Sequence, residues 1–274
     1  PEDLRLIEID ALVRRQAPGI GVIVEPEGRN TAAAIALATF AIERDDDDVM
    51  VVLPADHRID PDREGLFRSV LRAAGESLAT GAFGVESPLV TLGVRPTHPS
   101  TQYGYLVPRV EAGEDVAGLR AYPLAAFREK PSLTDAQTLV ASPGVAWNAG
   151  MFLWRRRAIR AALEVHAPEI ATGVADGIAS GDLAAAYSRL PSRSLDYAVM
   201  EHESDVVVLA GDFGWSDIGS WKAVADEFAR DAGGNTTSGE VVLADCRNVH
   251  VQTEDRLVAA VGLSDVVIVD TPDA

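Results

Sequence analysis

Cysteine is almost absent from this chain. Cys246 is the only one among 274 residues, which excludes a disulfide framework and a cysteine-built zinc site. Long apolar runs are missing too: none approaches the roughly 20 residues that span a bilayer. Pro1 does not open a charged-then-apolar leader, so a cytoplasmic protein is expected. Positive charge is scarce, with 24 Lys and Arg against 42 Asp and Glu and a net charge of −18. That balance argues against nucleic acid or an anionic membrane as partner. It leaves room for an anionic small ligand, because a metal ion and a few local cations can reverse the field inside one cleft. There is no G-x-S-x-G elbow, no H-E-x-x-H and no G-x-x-x-x-G-K-[ST] loop. The histidines at 57, 98, 166, 202 and 250 show no metal-ligand spacing and read as surface or packing residues. With 47 % hydrophobic residues and unexceptional Gly and Pro, the chain can bury a full core.

The pattern of what remains is strand alternating with helix, the signature of a parallel sheet with helices on both faces. Residues 4–16 read as a helix ended by Pro18-Gly19, and residues 21–24 as a short strand. Thr31 to Arg44 is Ala-rich with apolar residues on most faces, which predicts a buried helix capped by Asn30 or Thr31. Asp45 to Asp48 reads as a solvated turn. Val49 to Leu53 is a strand, Arg63 to Leu78 an amphipathic helix, and strands follow at 88–93, 103–109, 121–129 and 146–154. From Asn235 onward short strands succeed one another without helices, which places a domain boundary near residue 233: residues 1–233 form the α/β part and 234–274 the start of a β-rich part.

Several segments carry residues suited to phosphate and sugar chemistry. In VVLPADHRI (51–59) an apolar strand ends at Pro54 and delivers Asp56 to the loop at its carboxyl end, where ligands bind in open α/β sheets. Asp56 either helps hold a divalent cation that bridges phosphates or N-caps the next segment. EPEGRNTAAAIALA (25–38) is a strand end, a loop and a helix amino terminus. Free backbone N–H groups there attract anions or the polar edge of a base, and Arg29 and Asn30 add directional donors. FREKPS (127–132) sets Glu129 beside Lys130 before Pro131. An extended backbone would point the two to opposite faces, one for hydroxyls and one for a phosphate, the alternative being an exposed salt bridge. WNAGMF (147–152) puts one amide, Asn148, and a glycine inside an apolar strand, as where a ligand or another backbone approaches closely. GWSDIGSW (214–221) offers Asp217 as a second metal carboxylate, with Trp215 and Trp221 expected in the core.

In this order the segments resemble the mannose-1-phosphate guanylyltransferases, or GDP-mannose pyrophosphorylases. The matching pieces are EPEGRNTAAAIALA, LPADH, TQYGYL, FREKP, WNAGMF, SLDYAVME, GWSDIGSW, TEDRLVA and VDTPDA, spanning Glu25 to Ala274. The resemblance implies an α/β fold: a Rossmann-like, mixed but mostly parallel nucleotidyltransferase sheet with helices on both faces, then a small β-rich region. It implies that GTP and mannose 1-phosphate give GDP-mannose and pyrophosphate with Mg²⁺. Asp56 and Asp217 would be the metal carboxylates, Lys130 the sugar-phosphate contact and Glu129 the partner of sugar hydroxyls. Asn148 and the Gly104 backbone would be further sugar contacts, and Glu25, Arg29 and Asn30 would lie against the nucleotide. Neither nucleic acid nor membrane has a role in this picture, and a homodimer is the oligomer in view.

One departure stands out. The family opens with a strand and a Gly-rich loop, GGxGTRLWPLS, that cradles the triphosphate, and this chain begins in what should be the helix after it. It also ends before the family's carboxyl-terminal segment finishes. A longer natural protein is the expected explanation, since the other motifs stand together. Without its first strand the sheet is expected to carry an internal gap lined by unpaired N–H and C=O groups. The alternatives are a different sugar-1-phosphate nucleotidyltransferase specificity, or a non-catalytic nucleotidyltransferase-like regulatory subunit.

Overall fold

The computed structural model describes residues 11, 12, 15, 19–116, 118–219, 221–226, 228–272 and 274. The helix expected over residues 4–16 lies mostly outside them. The chain divides into two compact units, one of residues 1–53 and 68–212, the other of residues 54–67 and 213–274.

The first unit is built on a mixed sheet. Its strands are β1 (Val49–Val52), β3 (Leu89–Val94), β4 (Tyr105–Pro108), β5 (Glu114–Val116), β6 (Leu119–Arg128), β7 (Ala146–Arg155) and β8 (Val206–Ala210). Their order is β1-β7-β3-β8-β6-β4, with β5 paired to β6. The α/β class and mixed sheet follow expectation, but among the described strands of this sheet only β3 and β8 pair in parallel. The other pairs run antiparallel: β7 runs opposite to β1, β3 and β4, β6 runs opposite to β4 and β8, and β5 and β6 are joined by a short turn that only antiparallel strands allow.

Among the described residues the sheet shows no internal gap. β1 pairs with β7 and stands at the edge of the described sheet, so every described strand inside that edge has partners on both sides or closes the opposite end. Residues 21–24 form no strand; Ile23 and Val24 are exposed there. On β1 itself Val51 is exposed as well, as an edge strand permits.

Helix α1 (Asn30–Ala41) is buried as its composition requires: Ala32, Ala33, Ile35, Ala36 and Leu37 are all inside. The predicted cap differs. The capping position falls to Arg29, Asn30 Oδ1 accepts the Thr31 N–H at 2.8 Å, and the Thr31 hydroxyl instead accepts from the Leu195 N–H at 2.8 Å. The expected helix over 63–78 becomes α2 (Glu64–Ala73) followed by a wider turn at Ala74–Leu78. Helix α3 (Leu133–Val140) follows the Glu129–Lys130 segment and is capped by the Ser132 hydroxyl, which accepts the Asp135 N–H. After β7 come α4 (Arg156–His166) and α5 (Pro168–Ser180). Small residues let α1 lie close to α5, and together with α4 and the sheet they enclose Trp154, Tyr187 and Leu195. The acidic turn at 45–48 is exposed but tied down, because Asp46 and Asp47 pair with Arg155, Arg156, Arg157 and Arg160 where β7 meets α4. No described helix is long and apolar enough to cross a membrane.

The second unit contains a short antiparallel ladder, β2 (Arg58–Ile59) with β9 (Trp215–Ser216), and a coil of parallel strands. β10 (Thr236–Ser238), β12 (His250–Thr253) and β14 (Val267–Asp270) stack on one side of the coil, β11 (Val241–Ala244) and β13 (Val258–Val261) on another. Val241 pairs with Val258, Arg247 with Ser264 and His250 with Val267, each seventeen residues on. The left-handed corners repeat with them: Asp245 answers to Gly262 and Asn248 to Asp265, all at positive φ. Cys246, Val249, Val251 and Ala260 fill the inside of the coil.

Candidate active site

In the first unit, the carboxyl end of β6 and the bulged middle of β7 bring five residues together. β6 stops at Arg128, and Lys130 then takes φ +45°, a left-handed conformation that residues other than Gly, Asn and Asp seldom adopt. That turn overrides the extended conformation expected before Pro131. Glu129 and Lys130 therefore do not diverge: Lys130 Nζ lies 3.1 Å from Glu129 Oε1. Nor is the pair an exposed surface bridge, since the Glu129 side chain is 7 % exposed against 52 % for Lys130. The Glu129 N–H donates to Glu201 Oε1 at 3.0 Å, which fixes the turn.

Gly104 forms the floor. Its carbonyl accepts the Asn148 N–H at 2.8 Å, and a Cβ here would stand 2.5 Å from Glu129 Oε2. Glycine is required for the carboxylate to lie against the backbone. On β7 a bulge sets residues 149–151 opposite Leu92 alone, with Gly150 at φ +65°. The bulge turns the Gly150 N–H onto Asn148 Oδ1 at 3.1 Å, which also accepts from the buried Thr91 hydroxyl at 2.9 Å. Asn148 Nδ2 donates to Asp196 Oδ1 at 2.9 Å. Asp196, Thr91 and Glu201 have no role assigned from sequence. The signal exists for Thr91 as for Asn148, a lone polar residue in an apolar strand, and Asp196 lies within SLDYAVME.

The electrostatics follow from this packing. Burial pushes the Glu129 carboxyl above the usual glutamate range, the charge of Asp196 adds to this, and Lys130 opposes it. Burial likewise raises Asp196, against its own backbone N–H, Lys130 and Asn148. The hydrogen bond from Lys130 to Glu129 holds the ammonium above its ordinary value, so Lys130 stays charged. A cavity of about 400 Å³ opens beside the cluster, lined by Arg128, Glu129, Pro131, Asp135 and Glu201 among others.

The loop before α1 differs from expectation in its donors. The Thr31 N–H is taken by Asn30, and the Ala32 N–H donates to Arg193 O at 3.2 Å, so these groups are not free for an anion. Arg29 is engaged as well, bridging Glu27 at 2.6 Å and the Ser188 carbonyl at 2.8 Å. Glu25 faces the Tyr187 hydroxyl, and burial raises its carboxyl above the usual range. Through Thr31 and Leu195 the amino end of α1 is fastened to the segment that carries Asp196.

Asp56 and Asp217 belong to the second unit. Asp56 precedes Arg58 by two residues and Asp217 follows Ser216 directly, so both leave the same end of the β2–β9 ladder. Asp56 is exposed and Asp217 half-buried. The capping alternative for Asp56 falls away, because Asp60 caps the next turn by accepting the Asp62 N–H at 3.0 Å. Beside them Trp215 Nε1 donates to His57 Nδ1 at 3.0 Å. Trp221 is 48 % exposed and is not core. Ile218 is held at φ +47°, a strained conformation for a β-branched residue, and the Asp217 carboxylate lies over Gly219, where a Cβ would meet it at 2.7 Å. Two carboxylates at one ladder end suit a divalent cation that takes its remaining ligands from phosphate oxygens and water. No group of three His, Cys, Asp or Glu among the described residues forms a protein-only cage.

Comparison with known proteins finds relatives along the whole chain. Residues 239–274 match the model of the MannoseP isomerase/GMP-like beta-helix domain, in keeping with the seventeen-residue coil. The chain is 40 % identical over 267 residues to the mannose-1-phosphate guanylyltransferase of Escherichia coli K12, covering 92 % of this chain and 53 % of that protein. It is 38 % identical over 282 residues to the xanthan biosynthesis protein XanB of Xanthomonas campestris, covering 100 % of this chain and 57 % of that one. The chain thus spans little more than half the length of these curated relatives. A solved structure named as mannose-1-phosphate geranyltransferase from Thermus thermophilus superposes with a TM-score of 0.81 at 32 % identity, over 97 % of this chain and 75 % of that one. With residues 8–233, and so both the mixed sheet and the Glu129–Lys130 cluster, matching the model described as Nucleotidyl transferase, the chain belongs to that family.

Proposed function

We propose that the protein carrying this chain makes GDP-mannose and pyrophosphate from GTP and mannose 1-phosphate. The observation that carries the reading is the convergence of Gly104, Glu129, Lys130, Asn148 and Asp196 at the end of β6. It joins a fixed cation to a buried acceptor and an amide, the set a sugar 1-phosphate needs. The names of the relatives supply the sugar and the base.

In this reaction a phosphate oxygen of mannose 1-phosphate attacks the α-phosphorus of GTP. The bond from that phosphorus to the oxygen bridging to the β-phosphate breaks, and pyrophosphate leaves with the electron pair. The attacking oxygen is already ionised at neutral pH, so no side-chain nucleophile or base is required. What the protein supplies is position and charge. Lys130 holds the sugar phosphate as a point charge, while Glu129 accepts from sugar hydroxyls, its burial making each such bond count for more than it would in water. Asp56 and Asp217 would hold Mg²⁺, which neutralises phosphate charge when bound. The nucleotide side is assigned to Glu25, Arg29 and Asn30, with Arg29 and Asn30 shaping the loop through the bonds they already make. The working compartment is the cytoplasm, and the nucleotidyl transferase part ends near residue 233.

The test is a turnover panel on the full-length protein, pairing GTP, UTP or ATP with mannose 1-phosphate or glucose 1-phosphate in Mg²⁺. GTP with mannose 1-phosphate should exceed every other pair in kcat/KM by at least about tenfold, the ratio given by roughly 1.4 kcal/mol of differential binding. Preference for glucose 1-phosphate with another base would establish the other specificity instead, and no turnover with any pair would establish a regulatory subunit.

A further inference from the structure

We infer that Asp196 is a positioning residue, acting with Thr91 to fix the Asn148 amide so that it can only donate to the bound sugar. This inference rests on the sugar-1-phosphate reading of the site and adds to it the polarity of one contact. A primary amide has two acceptor lone pairs on oxygen and two hydrogens on nitrogen. In Asn148 the oxygen receives the Thr91 hydroxyl at 2.9 Å and the Gly150 N–H at 3.1 Å, which uses both lone pairs. The nitrogen gives one hydrogen to Asp196 Oδ1 at 2.9 Å. One N–H is left.

The orientation cannot reverse. A flipped amide would set its NH₂ against the Gly150 N–H, which has nothing to accept with, and its oxygen against the Asp196 carboxylate. The Thr91 hydroxyl has a longer alternative, the Met151 carbonyl at 3.4 Å, and the shorter bond to Asn148 is the one that closes the network. Thr91 is fully buried, and Asp196 sits in the wide turn Asp196–Met200 whose start is tied to α1 through Leu195. Both anchors are therefore held by the fold and not by the ligand. A half-buried amide with one free hydrogen recognises an acceptor: a hydroxyl oxygen of the hexose. Asp196 touches no substrate in this arrangement; it acts through Asn148.

The test is steady-state kinetics of the full-length protein with Asp196→Ala, Asp196→Asn, Asn148→Ala and the double variant Asn148→Ala/Asp196→Ala. Asp196→Ala should raise KM for mannose 1-phosphate at least tenfold, leaving KM for GTP within about twofold. Asp196→Asn keeps an acceptor without the charge and should recover most of that loss. In the Asn148→Ala background the Asp196→Ala change should add less than about twofold, since coupled residues are not additive. Should Asp196→Ala fail to fold, Thr91→Val removes the other anchor at nearly constant volume and should raise the same KM, with Thr91→Ser recovering it. Additive losses in the double variant, or equal rises in both KM values, would overturn the positioning role and leave the sugar site standing. An active Asn148→Ala variant with unchanged KM for mannose 1-phosphate would instead overturn the sugar-site reading itself.

Discussion

Lys130 sits where several features meet, a left-handed turn, a buried carboxylate and a half-exposed ammonium, and it is the residue whose loss should be the most selective. Lys130→Ala is expected to weaken mannose 1-phosphate binding by about 10- to 100-fold, the range of a charge-assisted contact. GTP binding should hold, and calorimetric titration of each substrate checks this. Glu129 makes a second case. Its carboxyl is raised by burial, so the folded protein binds a proton there more readily than the unfolded chain does. Stability then increases as pH falls through the raised value, and the penalty of the ionised form is full above it and gone below the ordinary glutamate range. Glu129→Gln should therefore be more stable than the unmodified protein at pH 8, with the difference closing toward pH 4, while sugar binding is lost. Denaturant melts across that pH range measure it. For the metal, Asp217→Asn should lower kcat by about 1,000-fold or more with an unchanged fold, several kcal/mol being the scale of a bound cation's effect. Near-normal turnover of that variant at limiting Mg²⁺ would contradict the assignment.

At the scale of elements, the β7 bulge and the left-handed turn after β6 do what regular strands cannot. A straight β7 would leave the Gly150 N–H in the ladder, and an extended Lys130 would face away from Glu129. Both departures are hidden from sequence reasoning for a physical reason: period-2 alternation reports which face a residue takes but not where a strand breaks register. The amide and glycine of WNAG and the adjacency of Glu129 and Lys130 are legible; their convergence depends on pairings between β3, β4, β6 and β7 that are distant in sequence. The coil after residue 235 is legible as short strands, but strand signals alone do not reveal its seventeen-residue period. That repeat emerges when EVVLADCRNVH is set against LVAAVGLSDVV, where the corner residues Asp245 and Gly262 align. Its tightest corner is Gly239, at φ +91°, where a Cβ would collide with the Thr253 carbonyl. Gly239→Ala should cost the second unit about 2 kcal/mol or more from backbone strain and displacement together, read as a lowered midpoint of its thermal or denaturant transition.

Over the whole molecule, the net charge of −18 stands against the two anionic substrates proposed until it is set beside local structure. Lys130 is held charged inside its cluster, and on the proposed reading Asp56 and Asp217 turn part of the negative balance into a seat for a cation. The class of the fold is legible from alternating strands and helices. The antiparallel share of the sheet is not, because local pattern does not encode strand direction. The most direct test of the account is a ³¹P NMR time course of the full-length protein with GTP, mannose 1-phosphate and Mg²⁺. The account predicts that the mannose 1-phosphate signal falls as GDP-mannose and pyrophosphate rise in equal amounts, and that chelating the metal stops all three changes. Release of inorganic phosphate from GTP with mannose 1-phosphate unconsumed, or turnover indifferent to the chelator, would contradict it.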